Sequence, residues 1–296
     1  MLSYSDCRLC PRQCGVDRTK GNLGFCRMPA GAVAARAAAH YWEEPVISGN
    51  YGSGAVFFSG CTLRCVFCQN ASISAGGFGK ALSARALRGV FEALIDEGCQ
   101  NINLVTATQF LPTVIEALTP KLPVPVVYNC GGYERVETLR ALEGLVDVYL
   151  PDYKYADAAL AARLSAAPDY PAVARAAILE MLRQTGSAVI EDGELRRGTL
   201  VRHLVLPGYV ENSLDAVAWL AQEAAPRGAL VSIMGQYCPM PGQAPPLDRR
   251  VTREEYAGVL SWAELCGLRD FYYQDLDSAS ADYIPAFDLQ GLHPDP

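Results

Sequence analysis

The chain is expected to fold as an α/β protein, an incomplete (β/α)6 TIM-like barrel with a small cysteine-rich N-terminal module. Short apolar runs recur at residues 55–58, 101–105, 124–128, 146–150, 200–206 and 229–234. Most lack polar alternation, which is the pattern of parallel strands buried on both faces. Segments of helical period separate them, and strand–helix alternation implies a parallel sheet with right-handed crossovers. Six runs, with a seventh candidate at 270–273, fall short of the eight that close a full barrel.

Taken in order, residues 1–50 stand apart. They hold Cys7, Cys10, Cys14 and Cys26 among glycines and basic residues, then an alanine-rich stretch from Ala32 to Ala39 and the string His40-Tyr41-Trp42-Glu43-Glu44-Pro45. Such a segment is too short to bury a core of its own. The barrel is expected over 51–277. Its clearest helix lies at 83–98, where Leu87, Val90, Phe91, Leu94 and Ile95 share a face, Ser83 caps the start and Gly98 stops it. Residues 158–184 read as a helical stretch, followed by a hairpin turning at Asp192-Gly193. Thr252-Arg253-Glu254-Glu255 is a capping box for the last long helix. The tail, 278–296, is spotted with proline, has no clear period, and is expected either to cross the bottom of the barrel or to stay loose.

Of the 296 residues, half are hydrophobic and 19% charged, and the mean hydropathy is +0.09, enough for one large core. A net charge of −7 with no Lys/Arg run argues against nucleic acid as a partner. The start, Met1-Leu2-Ser3-Tyr4-Ser5-Asp6-Cys7, lacks the pattern of a secretory signal, and no apolar run approaches the roughly 20 residues that span a bilayer. A cytoplasmic, membrane-free location is therefore expected, where thiols stay reduced and clustered cysteines serve as metal ligands.

Directly after the run at 55–58 comes Gly60-Cys61-Thr62-Leu63-Arg64-Cys65-Val66-Phe67-Cys68. Three thiolates on one loop can hold three irons of a cubic [4Fe–4S] cluster and leave the fourth iron open for chemistry. The bacterial ferredoxin run is spaced differently and has its fourth cysteine close by. The competing reading is a structural zinc site completed by a distant cysteine such as Cys130. In parallel α/β barrels chemistry collects where the strands end. Here those ends lead to Thr106-Ala107-Thr108-Gln109, to Asn129-Cys130-Gly131-Gly132, to Asp152-Tyr153-Lys154, to Pro207-Gly208 and to Gly235-Gln236-Tyr237. The polar interruptions thus share one rim. Thr106 and Thr108 read either as ligand contacts or as turn and helix caps. Arg202, in a run that should be buried, demands a carboxylate partner, either a ligand's or that of Asp152. Its neighbour His203 must face the other way, so one of the two points into the barrel and the other packs against a helix, where a neutral buried histidine is common. Asp152 and Lys154 share a face, as a functional pair or a plain ion pair. Gly76-Gly77-Phe78-Gly79-Lys80 is expected as a flexible loop near the cysteines, and Cys99, Cys238 and Cys266 as small buried hydrophobes.

The cysteine spacing, with aromatic Phe67 before the last cysteine, resembles the signature of the radical S-adenosylmethionine superfamily. The stretches 105–112, 128–134, 149–154 and 202–208 resemble its branch related to pyruvate formate-lyase-activating enzyme. The N-terminal Cys7-Arg8-Leu9-Cys10-Pro11-Arg12-Gln13-Cys14, ending at Cys26, resembles an activase-like subgroup without a settled substrate. The resemblance implies a [4Fe–4S] cluster on Cys61, Cys65 and Cys68 and S-adenosylmethionine as ligand. It implies reductive cleavage to a 5′-deoxyadenosyl radical that abstracts hydrogen, in the activase-like case from a glycine of a partner protein. It also implies a one-electron donor such as flavodoxin or ferredoxin. Phe67, Thr106, Thr108, Asn129, Asp152, Lys154 and Arg202 are the ligand-binding candidates it points to. Threonines stand where the superfamily often has Gly-Gly-Glu, Asn129 where the activators have aspartate, and Gln236 where they tend to have histidine. A small molecule or a peptide is the other substrate class. A non-catalytic iron–sulfur or zinc protein, acting in redox or as a scaffold, is the rival function. Cys7, Cys10, Cys14 and Cys26 could bind zinc, a second cluster or no metal.

Overall fold

The computed structural model describes residues 2–274, 276 and 285–292. Its centre is one mixed sheet built from β1 (Ala32–His40), β2 (Ser53–Phe58), β3 (Lys80–Leu82), β4 (Ile102–Val105), β5 (Val126–Cys130), β6 (Val148–Pro151), β7 (Val189–Glu191), β8 (Glu194–Leu204), β9 (Leu230–Met234) and β10 (Tyr272–Tyr273). The order is β3-β1-β2-β4-β5-β6-β8-β9-β10, with β7 paired to β8. From β2 to β10 the neighbours run parallel, and β1 is antiparallel to both β2 and β3. The six apolar runs of the sequence coincide with β2, β4, β5, β6, β8 and β9, while the seventh candidate is the two-residue β10.

Helices cover the outer face; in chain order the α-helices are α1 (Pro45–Ser48), α2 (Ala71–Ser74), α3 (Ala84–Asp96), α4 (Leu111–Ala117), α5 (Val136–Arg140), α6 (Ala158–Ser165), α7 (Tyr170–Thr185), α8 (Val210–Trp219) and α9 (Arg253–Leu265). In α3 (Ala84–Asp96), Ser83 Oγ accepts from the Ala86 amide, and Leu87, Val90, Phe91 and Leu94 are buried. Burying each of those side chains stabilises the fold by about 1.5–3 kcal/mol. In α9 (Arg253–Leu265) the Thr252–Glu255 capping box is complete in both directions. The stretch expected to be helical at 158–184 is two helices, α6 (Ala158–Ser165) and α7 (Tyr170–Thr185). Ala166 turns left-handed, with φ 49°, and Pro168 biases the residue before it away from helix. Asp192 and Gly193 both have positive φ, as a two-residue hairpin turn requires.

The inner face is closed at the N-terminal ends of the strands by α1 (Pro45–Ser48). Its Val46 and Ile47 pack with Val127, Val148, Leu150, Leu195 and Leu200. Asn101 Nδ2 donates to the Ile47 carbonyl at 2.7 Å, fixing this plug. The alanine-rich stretch is the strand β1, whose small side chains allow close packing, so the segment 32–40 belongs to the central sheet. Lys80, expected within a flexible loop, opens β3 and pairs with Ala34. Part of the expected tail, 285–292, runs beside β1. The Leu289 amide donates to the Ala35 carbonyl and the Ala37 amide to that of Gln290. The rest of the tail, 278–284 and 293–296, lies outside the described residues. Among the described residues no helix is long and apolar enough to cross a membrane.

Candidate functional site

The loop that follows β2 is pinned before its first cysteine. The Ser59 amide donates to Val33 O (2.8 Å) and the Gly60 amide to Ile73 O (2.9 Å). Gly60 has φ 75°, and a Cβ there would collide with Met28 and the Cys26 carbonyl, so glycine is required. Gln109 holds the turn from inside: Nε2 donates to the carbonyls of Ser59 (2.8 Å), Gly60 (3.1 Å) and Thr106 (2.8 Å). Arg18, fully buried, donates in turn to the Gln109 carbonyl at 2.6 Å.

Cys61, Cys65 and Cys68 all face one cavity of about 290 Å³. Each sulfur accepts one hydrogen bond, from the Leu63 amide (3.4 Å), Ser165 Oγ (3.0 Å) and Ser74 Oγ (3.3 Å) respectively. Burial, together with the neighbouring charge of Cys65, pushes the Cys61 thiol up to about 12. Three thiolates facing one pocket repel one another and call for a compensating cation, which an iron cluster supplies. That donor set fits a cluster. Among the described residues, no group of three or more His, Cys, Asp or Glu side chains is gathered as for a single metal ion.

Opposite the thiols lies a charged floor. Arg202 on β8 uses all three of its nitrogens: Nε donates to Asp152 Oδ1 (2.9 Å), Nη1 to Glu43 Oε1 (2.6 Å) and Nη2 to Asn129 Oδ1 (2.9 Å). Glu43 Oε2 accepts from Asn129 Nδ2 (2.8 Å) and Asn103 Nδ2 (3.2 Å). Lys154 Nζ donates to Asp152 Oδ2 at 2.5 Å. Burial works against the Asp152 carboxylate, but Arg202 and Lys154 outweigh it and hold its pKa below the ordinary value. The same pairing raises Lys154 and Arg202 despite their burial. His203 points the other way, fully buried between the Tyr153 carbonyl (2.7 Å from Nδ1) and Ser213 Oγ (2.9 Å from Nε2) on α8 (Val210–Trp219).

Phe67, Thr106, Asn129, Asp152, Lys154 and Arg202 therefore meet the three cysteines at one cavity. Thr108 does not join them. Its hydroxyl donates to the buried Glu134 at 2.7 Å and accepts from Tyr128 at 3.0 Å. Gln236 lines the cavity, and Phe67 meets the Tyr237 ring edge-on at 6.2 Å between centroids. Sequence reasoning missed Glu43 and did not single out Gln109. Two adjacent acids between Trp42 and Pro45, outside any apolar run, were the only trace of the first.

Of the four N-terminal cysteines, Cys26 lies against this loop, its carbonyl beside Gly60. Phe25 donates its amide to Cys14 Sγ (3.4 Å), and Arg18 Nη1 donates to Cys7 Sγ (3.6 Å). Burial, then the charges of Glu134, Cys26 and Cys14, pushes the Cys10 thiol up to about 12. Arg12 ties this element to the cluster loop. Its Nε donates to Thr62 O (2.9 Å), Nη2 to Ser165 O (2.8 Å) and Nη1 to Ala166 O, while its guanidinium stacks on Phe25 at 3.9 Å.

No family model matches the chain. An uncharacterized protein of Methanocaldococcus jannaschii is 28% identical over 281 residues, which cover 91% of this chain and 77% of that protein. SuiB of Streptococcus suis, solved bound to S-adenosylmethionine, superposes with a TM-score of 0.52 at 12% identity. The same protein solved with its precursor peptide SuiA gives 0.51 at 12%. The chain shares the fold of SuiB. The likeness covers 74% of this chain but only 50% and 48% of the two SuiB chains, so this chain matches about half of their length.

Proposed function

We propose that this chain is a radical S-adenosylmethionine enzyme acting on a polypeptide. The observation that carries the proposal is the meeting, in one cavity at the strand ends, of three thiols from one loop with a floor of paired charges. Cys61, Cys65 and Cys68 would hold the [4Fe–4S] cluster. When bound, that cluster supplies the electron that splits S-adenosylmethionine into methionine and a 5′-deoxyadenosyl radical, which takes hydrogen from the substrate. The fold shared with a protein solved bound to S-adenosylmethionine agrees with this.

The chain's own residues bind and orient. Lys154 keeps donors to spare beyond Asp152 and stands near enough for the Cys65 charge to act on it, so it can receive the anionic end of a ligand. Arg202, with every nitrogen engaged, holds Asp152, Glu43 and Asn129 in place. Thr106, at φ 63° beside the cavity, leaves its hydroxyl for the ligand, its amide being spent on the Asn129 carbonyl. Phe67 and Tyr237 form an apolar wall that excludes water.

A polypeptide substrate is supported by the fold shared with SuiB in complex with a precursor peptide. A glycine of a partner protein, as in the activases, is the narrower form of the same proposal. The test is anaerobic reconstitution with iron and sulfide, followed by S-adenosylmethionine and dithionite. 5′-Deoxyadenosine is expected from the wild type and not from Cys61→Ser, Cys65→Ser or Cys68→Ser. An intact cluster that yields none would mark the protein as a non-catalytic iron–sulfur carrier.

A further inference from the structure

A second cleft of about 570 Å³ opens beside the cavity. It lies between the segment 41–50, which leads from β1 through α1, and β10 at the other side of the sheet, with the β7–β8 turn at its end. The two spaces adjoin, sharing Trp42, Glu43 and Gln236 in their walls. The cleft is walled by aromatic rings and carboxyl groups. Tyr41, Trp42 and Tyr273 are 56%, 65% and 65% exposed, so three large rings stand in solvent at one place. Exposed apolar surface gathered in this way marks an interaction site, and Tyr and Trp are the residues such sites favour.

Among the described residues, no lysine, arginine or histidine lines the cleft, whereas four acids do. Glu43 is committed to Arg202 and Glu194 to Arg196 (2.7 Å). Glu44 and Asp192 have no ion-pair partner among the described residues. Glu44 is almost fully buried, and burial raises its pKa, so an arriving cation would relieve the cost of its charge. Ring faces and carboxylates without a direct ion pair attract the same kind of group, a cation on an apolar stem.

We propose that this cleft docks a polypeptide substrate through a lysine or arginine side chain, delivering a neighbouring residue of that polypeptide to the inner cavity. This deepens the function proposed above and rests on it for the identity of the inner cavity. The cation lies between the aromatic rim and the Glu44 and Asp192 carboxylates. The peptide backbone passes Trp42 and Gln236 toward the thiol side.

The test is a randomised dodecapeptide library panned on the full-length, anaerobically reconstituted protein with S-adenosylmethionine present. Lysine and arginine are expected to be enriched at least about threefold over the input library. On a Glu44→Gln/Asp192→Asn variant that enrichment should fall to the input level, and Tyr273→Ala should weaken the recovered peptides. Acetylating the selected lysine should cost about tenfold in affinity by fluorescence anisotropy. No binders, binders without cationic enrichment, or an unchanged pool on the double variant would each overturn the proposal. Formation of 5′-deoxyadenosine without peptide is measured in parallel. Its absence, alongside cationic binding, would sink the reading of the inner cavity and leave the cleft's specificity standing.

Discussion

Glu43→Ala removes one carboxylate that receives three side-chain donors, at 2.6, 2.8 and 3.2 Å. It leaves Arg202 and Lys154 sharing Asp152 alone. The ion-paired side chains are only 12% and 13% exposed, so water cannot easily take the place of the lost partner. Breaking a buried pair in this way costs about 3–5 kcal/mol. The unfolding entropy of globular chains is about 2.1 cal/mol/K per residue, hence about 0.6 kcal/mol/K for this one, and the melting temperature should fall by about 5–8 °C. Glu43→Gln, which keeps an acceptor for Asn129 but loses the charge, should fall between the variant and the wild type. Pairing Glu43→Ala with Arg202→Met separates the interaction from general damage. The double variant should lose less than the sum of the single ones by about 2 kcal/mol or more, since the two side chains touch. Thermal unfolding by circular dichroism on reduced, cluster-free protein reads all four. A Glu43→Ala melt within about 1 °C of the wild type, with additive single variants, would refute the idea that this carboxylate anchors the floor.

Arg12→Ala should raise amide exchange in residues 61–68 about tenfold and quicken loss of the reconstituted cluster to a chelator, because three carbonyls lose a forked donor. Arg12→Lys should not restore either property, since an ammonium cannot make that fork. Burial lowers the His203 pKa to about 4 against an ordinary 6.5, so the ring stays neutral when folded but takes up a proton when unfolded. The stability this contributes is present above about pH 6.5 and is lost as pH falls towards 4. The loss amounts to about 3 kcal/mol, read as the difference between wild type and His203→Asn in denaturant titrations across that range.

Much of the architecture was legible because burial on both faces leaves an unbroken apolar run, and six such runs mark the central strands. The capping box at Thr252 and the turn at Asp192-Gly193 are local signals that depend on nothing distant. Arg202 could be read as needing a carboxylate partner because a charge in an apolar strand is costly without one, whereas its inward direction came from the family resemblance. Its partner Asp152 was one of two candidates, and the bond at 2.9 Å decides for it. The strand β1 was not legible, because alanine has no marked strand preference and pairing with β2 and β3 makes the choice instead. Thr108 was read with Thr106, yet the left-handed backbone at Thr106 sends the next turn inward to Glu134. Gln109 and Arg12 act through backbone carbonyls, which leave no mark in side-chain patterns.

Glu43 shows why the floor in particular could not be read from strand ends. Arg202 and Lys154 bring two positive charges into the cavity, and the strands themselves supply only Asp152 to meet them. An uncompensated buried charge would be costly, so a second carboxylate must come from elsewhere. The connection from β1 to α1 provides it, and the same connection plugs the inner face with Val46 and Ile47. Arg202 and Lys154 are then matched by Asp152 and Glu43, two cations against two carboxylates. The segment 32–50 therefore completes the electrostatics of the site as well as the edge of the sheet, and neither contribution follows the strand–helix period.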